Sequence, residues 1–131
     1  MDRIDRTNIS SIETFFDGLL RGKLTDNLYF TEIPPALKSD WKELVLVDCA
    51  NPIFDYDGYS RGTVLITMYA KVNPYGKKDV KTLQKLEKKL NELILGSRDE
   101  FYKVSIRGRY TNYSAVNDIF YNVAQINLII T

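Results

Sequence analysis

The stretch that decides the fold is Thr63-Val64-Leu65-Ile66-Thr67-Met68-Tyr69-Ala70-Lys71-Val72, with the segment that follows it to Leu95. Val64, Ile66, Met68, Ala70 and Val72 share one side of an extended chain. Thr63, Leu65, Thr67, Tyr69 and Lys71 share the other. That period of two predicts a strand over 63–72, closed by the turn chemistry of Asn73-Pro74-Tyr75-Gly76. From Asp79 the period changes to that of a helix. Val80, Leu83, Leu86, Leu90, Leu93 and Ile94 form one apolar stripe, Asp79 is in place to cap the first turn and Gly96 to end the last. Lys81, Lys85, Lys88, Lys89 and Glu92 cover the opposite face. A strand followed at once by an amphipathic helix means that the helix has a sheet face to bury against.

Working outward, the same two periods recur. Ile12, Phe15, Phe16, Leu19 and Leu20 predict a first helix from Ser11 to Arg21, with a Ser10–Glu13 capping box and Gly22 as its stop. Residues 23–40 read as an irregular connection, with Leu28-Tyr29-Phe30-Thr31 as a possible short strand before Pro34-Pro35. Trp41 to Cys49 reads as a strand apolar on both faces, hence central in its sheet. Ala50 to Gly62, with Asn51-Pro52 and Asp57-Gly58, reads as a turn-rich loop. Glu100–Tyr113 and Ile119–Thr131 are two further strands, alternating cleanly at Tyr102, Val104 and Ile106 and at Phe120, Asn122, Ala124, Ile126, Leu128 and Ile130. The expected fold class is α+β: a four-stranded antiparallel sheet with two helices on one face, in the order α-β-β-α-β-β. Residues 1–131 are read as a single domain, with 1–8 as a flexible N-terminus.

At 131 residues the chain has the size of one domain, and 44% hydrophobic with 27% charged residues is ordinary globular composition. Eighteen basic against seventeen acidic residues leave no basic footprint of a nucleic-acid binder. No signal peptide, lipidation signal or run of membrane-spanning length is apparent in the sequence. Nine tyrosines are many for this length; tyrosine serves both strands and interfaces.

The chemistry-bearing motifs are missing. The chain has no histidine, the commonest general base and metal ligand, so Ser-His and Cys-His nucleophile pairs are out of reach. Cys49 lies in an apolar run and reads as a small buried hydrophobe in a reducing compartment. Asp55-Tyr56-Asp57-Gly58 resembles part of a calcium loop, but that register puts Ile53 and Val64 where ligands must stand. No catalytic residue, cofactor site or metal site is expected. The Lys77, Lys78, Lys81, Lys85, Lys88, Lys89 series reads as a solvated helix face, or else as a surface for an acidic partner or DNA. The loop 51–61 carries Phe54, Tyr56, Tyr59 and Arg61, residue types that dominate binding energy at interfaces. Together with Tyr75 they are the candidate protein-interaction residues. Folding back on the sheet edge is the alternative for their rings. A hydrolase built on Asp48, Asp55 and Asp57 would need two of these carboxylates to converge.

In element order and size the chain resembles the tail-terminator or tail-completion proteins of long-tailed bacteriophages, and the related small head-tail joining proteins. The matching features are the Ile12–Leu20 helix, the Trp41–Val47 strand after Pro34-Pro35, the Gly62–Ile66 strand, the Asp79–Leu95 helix and the final paired strands. The resemblance implies a non-enzymatic virion or prophage structural protein that forms a homo-oligomeric ring, a hexamer by expectation. Such a ring caps the tail tube and joins it to the head. Its partners would be itself, tail-tube proteins and head-connector proteins, with no membrane and no specific nucleic acid. It would reside in the host bacterial cytoplasm during assembly and in the virion tail afterwards. The rival expectation is a small adaptor or protein-binding module working through the tyrosine-rich loop.

Overall fold

Alternation and stripe translate directly into a computed structural model, which describes residues 2–32, 42–49, 52–71, 79–114 and 119–131. Helices α1 (Arg3–Arg6) and α2 (Ile9–Leu20) are followed by strands β1 (Leu28–Phe30), β2 (Glu43–Asp48), β3 (Phe54–Tyr56) and β4 (Tyr59–Lys71). Helix α3 (Val80–Leu95) and strands β5 (Tyr102–Ser114) and β6 (Ile119–Ile130) complete the chain. The α+β class is as expected, but among the described residues the sheet has six strands rather than four, ordered β1-β2-β4-β6-β5 with β3 paired to β4. It is also mixed, because β1 runs parallel to β2 while all other pairs are antiparallel.

The two extra strands have separate causes. Leu28 is buried and paired with Val45, so the short run at 28–30 becomes β1, parallel to β2. β3 lies in what the turn signals made a loop. β2 leaves β4 at the Asp48↔Leu65 pair and the chain rejoins β4 at Phe54↔Arg61. Pro52, just before β3, has no N–H to donate to a ladder. Asp57-Gly58 then closes a two-residue hairpin, with Gly58 at φ +84, a conformation that glycine adopts without a steric cost. As expected, β2 is an interior strand, flanked by β1 and β4.

One face of the sheet forms the core. Val45 and Val47 of β2, Val64, Ile66 and Met68 of β4, and Ala124, Ile126, Leu128 and Ile130 of β6 are buried with Ile12, Phe16 and Leu20 of α2 and Leu86, Leu90 and Ile94 of α3. Both long helices thus lie on that face. Leu83, Leu86 and Leu90 are buried as the stripe predicts, whereas Leu93 is only half-buried and Val80, at the first turn, is exposed. The Asp79 cap is present, its side chain accepting from the Thr82 amide at 3.1 Å. The Ser10–Glu13 capping box is not: Asn8 is the N-cap of α2, without a side-chain cap bond, and the helix begins two residues earlier than expected. Residues 3–6, inside the lead-in read as flexible, form α1. Arg6 of that turn donates to the Thr131 carbonyl and stands 3.9 Å over the Phe101 ring.

In β5 the register shifts between Ile106 and Gly108. The extra residue reverses which side chains face the helices. Lys103, Ser105 and Arg107 point away from them, as does Tyr110, which pairs with Val123. Arg109 instead points to the helix side and meets Glu87 of α3 at 3.9 Å. Asn122, buried on that side, accepts from the Thr111 hydroxyl at 2.7 Å.

Candidate interaction surface

The β3–β4 hairpin brings together four of the five candidate residues. Phe54 pairs with Arg61 and Tyr56 with Tyr59. Directly opposed residues share a face, so all four project from one side of the hairpin. It is the side away from the helices, since Ser60 between them is fully buried and its hydroxyl donates to Asp55 at 2.6 Å on the other face. Tyr56 and Tyr59 stack with centroids 4.9 Å apart and planes 15° from parallel. Phe54, Tyr56 and Tyr59 remain 60%, 46% and 37% exposed. The rings have not folded back onto the sheet edge. Tyr75, the fifth candidate, lies outside the described residues.

The hairpin is anchored at its root. A side chain at Gly62 would place its Cβ 2.5 Å from Ile53 Cδ1, so the absence of a side chain there is what lets Ile53 fold onto the sheet. Beside the root a cleft of about 360 Å³ is lined by Pro52, Phe54, Arg61, Gly62, Thr63, Arg107 and Asn127. Arg107 and Asn127 come from strands far along the chain and were not singled out in the sequence. The signal that could have found Arg107 is its alternation with Lys103 and Ser105 on the polar side of β5. A second cleft, about 500 Å³, lies between α1, α2 and the start of β5. Its carboxylate, Asp99, already accepts from the Phe101 and Tyr102 amides at 2.9 and 3.0 Å.

The carboxylates that a hydrolase would need do not converge. Asp48 stands on the helix-free face of β2 opposite Leu65, Asp55 on the helix side of β3 opposite Ser60, and Asp57 in the hairpin turn. Five residues along β4 separate the first two, roughly 16 Å at strand rise, and they sit on opposite faces. Among the described residues no group of three His, Cys, Asp or Glu side chains is placed to hold a metal ion. Cys49 is 2% exposed; burial, with smaller contributions from Glu13 and Asp48, pushes its thiol up to about 12. It is therefore a protonated core side chain rather than a thiolate nucleophile. Burial also raises the Tyr69 phenol, with Tyr121 beside it adding to the effect. Among the described residues no helix is long and apolar enough to cross a membrane.

No protein-family model and no curated protein matches this chain.

Proposed function

We propose that this chain is a non-enzymatic structural protein that self-associates through the β3–β4 hairpin, in the manner of a phage tail terminator whose ring caps a tail tube and meets the head connector. The observation that carries the reading is the stacked Tyr56–Tyr59 pair with Phe54 and Arg61, exposed on one face of a hairpin. Large aromatic rings and arginine are the residue types that supply interface energy. Leaving three such rings largely in water on a short hairpin adds little to the monomer beyond one stacked pair. The missing histidine and the diverging carboxylates favour a structural role over catalysis.

In a heterologous ring each subunit offers two different patches, so the hairpin face need not be complementary to itself. A ring of this kind can wait for its template, staying monomeric until it meets a tube. The test has two arms: light scattering of the free chain across concentration, then co-sedimentation with tail tubes. A chain that grows in mass with concentration, or that pellets with tubes, supports the proposal. A chain that stays monomeric in the first arm and in the supernatant in the second is the small adaptor instead.

A further inference from the structure

The face of the sheet turned away from the helices carries an unbalanced charge that the overall composition conceals. Among the described strand residues on that face, the cations are Arg61 and Lys71 of β4 and Lys103 and Arg107 of β5; Asp48 is the one carboxylate. Three of the cations, Arg61, Lys103 and Arg107, gather at the hairpin end; the Lys103 ammonium there donates to the Asp99 and Glu100 carbonyls, which a phosphate would replace. Arg61 and Lys103 flank Ile129 in a single cross-strand row. Arg61 and Arg107 line the cleft of about 360 Å³ with the Asn127 amide. Tyr110 extends the same face, 48% exposed.

We propose that this face binds the phosphate backbone of a nucleic acid, with Arg61, Lys103 and Arg107 as the phosphate contacts. Two strand spacings, roughly 9.6 Å, separate Arg61 from Lys103. Over that span one strand of a duplex presents about three phosphates. Guanidinium forks suit phosphate oxygens, and the exposed Tyr110 and Phe54 rings offer faces on which an unpaired base can stack. Cations on an edge strand also deter pairing with other strands. That explanation covers Lys103 and Arg107 but not Arg61, which lies in β4 between β3 and β6. The contact goes beyond the assembly proposed above; the two share Arg61 and Phe54 and are told apart by Lys103 and Arg107, which lie away from the Tyr56–Tyr59 tip.

The experiment is fluorescence anisotropy of the full chain with labelled duplex and single-stranded DNA of mixed sequence, across salt. Three phosphate contacts predict that duplex affinity falls roughly 40-fold between about 50 and 200 mM salt, and single-strand affinity roughly 20-fold. In Lys103→Gln/Arg107→Gln the slope of log affinity against log salt should drop by about 2, with an unchanged melting temperature as the control for folding. Tyr56→Ala/Tyr59→Ala should keep the slope, which separates this contact from self-association. No DNA binding at the lowest salt, a Lys103→Gln/Arg107→Gln variant that binds like the unaltered chain, or tighter binding of polyglutamate than of either DNA would each overturn the proposal. The last outcome would assign the face to an acidic protein.

Discussion

Replacing Tyr56 and Tyr59 together by alanine separates an interface from a core more sharply than any other change in this chain. The two rings touch each other, 4.9 Å between centroids, and each is more than a third exposed. Inside the monomer their removal therefore costs a stacking pair, about 0.5–1.5 kcal/mol, plus strand preference at two positions, up to about 1 kcal/mol. The sum, about 0.5–2.5 kcal/mol, lowers the melting temperature of a domain this size by several degrees. If the rings anchor a subunit contact, the loss in assembly is larger. Truncating one hot-spot ring costs about 2 kcal/mol or more, roughly 30-fold in affinity. The assay pairs thermal melting with light scattering across concentration, and with tube co-sedimentation if the free chain is monomeric. The expected variant is folded, melts slightly earlier and needs at least roughly 30-fold more protein to assemble. A variant that assembles at the same concentration refutes the interface reading. One that loses as much stability as a core truncation, about 3–5 kcal/mol, shows the rings to be structural.

Three further outcomes follow from the packing. Leu90→Ala removes a fully buried side chain of α3 that packs in the main core, and urea titration should show a loss of about 2–5 kcal/mol. Asp79→Ala removes the acceptor of the Thr82 amide and hydroxyl; the same titration should show about 0.5–2 kcal/mol, with the denaturant slope unchanged. Cys49 stays protonated in the folded chain up to about 12, against 9.0 as its ordinary value. Above pH 9 the unfolded chain therefore loses a proton that the folded chain keeps, and stability must fall between pH 9 and 12. Cys49→Ala should make that alkaline decline shallower, and native Cys49 should resist a thiol reagent at pH 8 until the chain is unfolded.

How much of this was legible beforehand depends on whether a feature is local. The α3 stripe and its Asp79 cap, the Val64–Ala70 alternation and the β6 alternation from Asn122 to Ile130 were readable, because period and capping involve residues a few positions apart. The α2 helix was readable as an element, but its start was not. Ser10 and Glu13 have the right spacing for a capping box, yet Asn8 takes the N-cap position. β1 showed only as a possibility, since three residues hold too little pattern; its pairing with β2 decides it. β3 was read as loop because Asn51-Pro52 and Asp57-Gly58 signal turns. Pro52 of the first stands just before β3, and the second closes the hairpin that β3 begins.

The sequence by itself determined the class of the fold, the faces of its strongest elements, the absence of histidine chemistry and the residue types on the hairpin. Those follow from side-chain identity and short-range periodicity. Only the tertiary structure decided that Phe54, Tyr56, Tyr59 and Arg61 share one exposed face, because that rests on a cross-strand register. It also decided that Arg61 meets Lys103 and Arg107, more than forty residues further along the chain, on one side of the sheet. A near-zero net charge is a sum over the whole surface and carries no direction. Strand pairing and the shift in β5 supply the direction, since each fixes which way alternate side chains point.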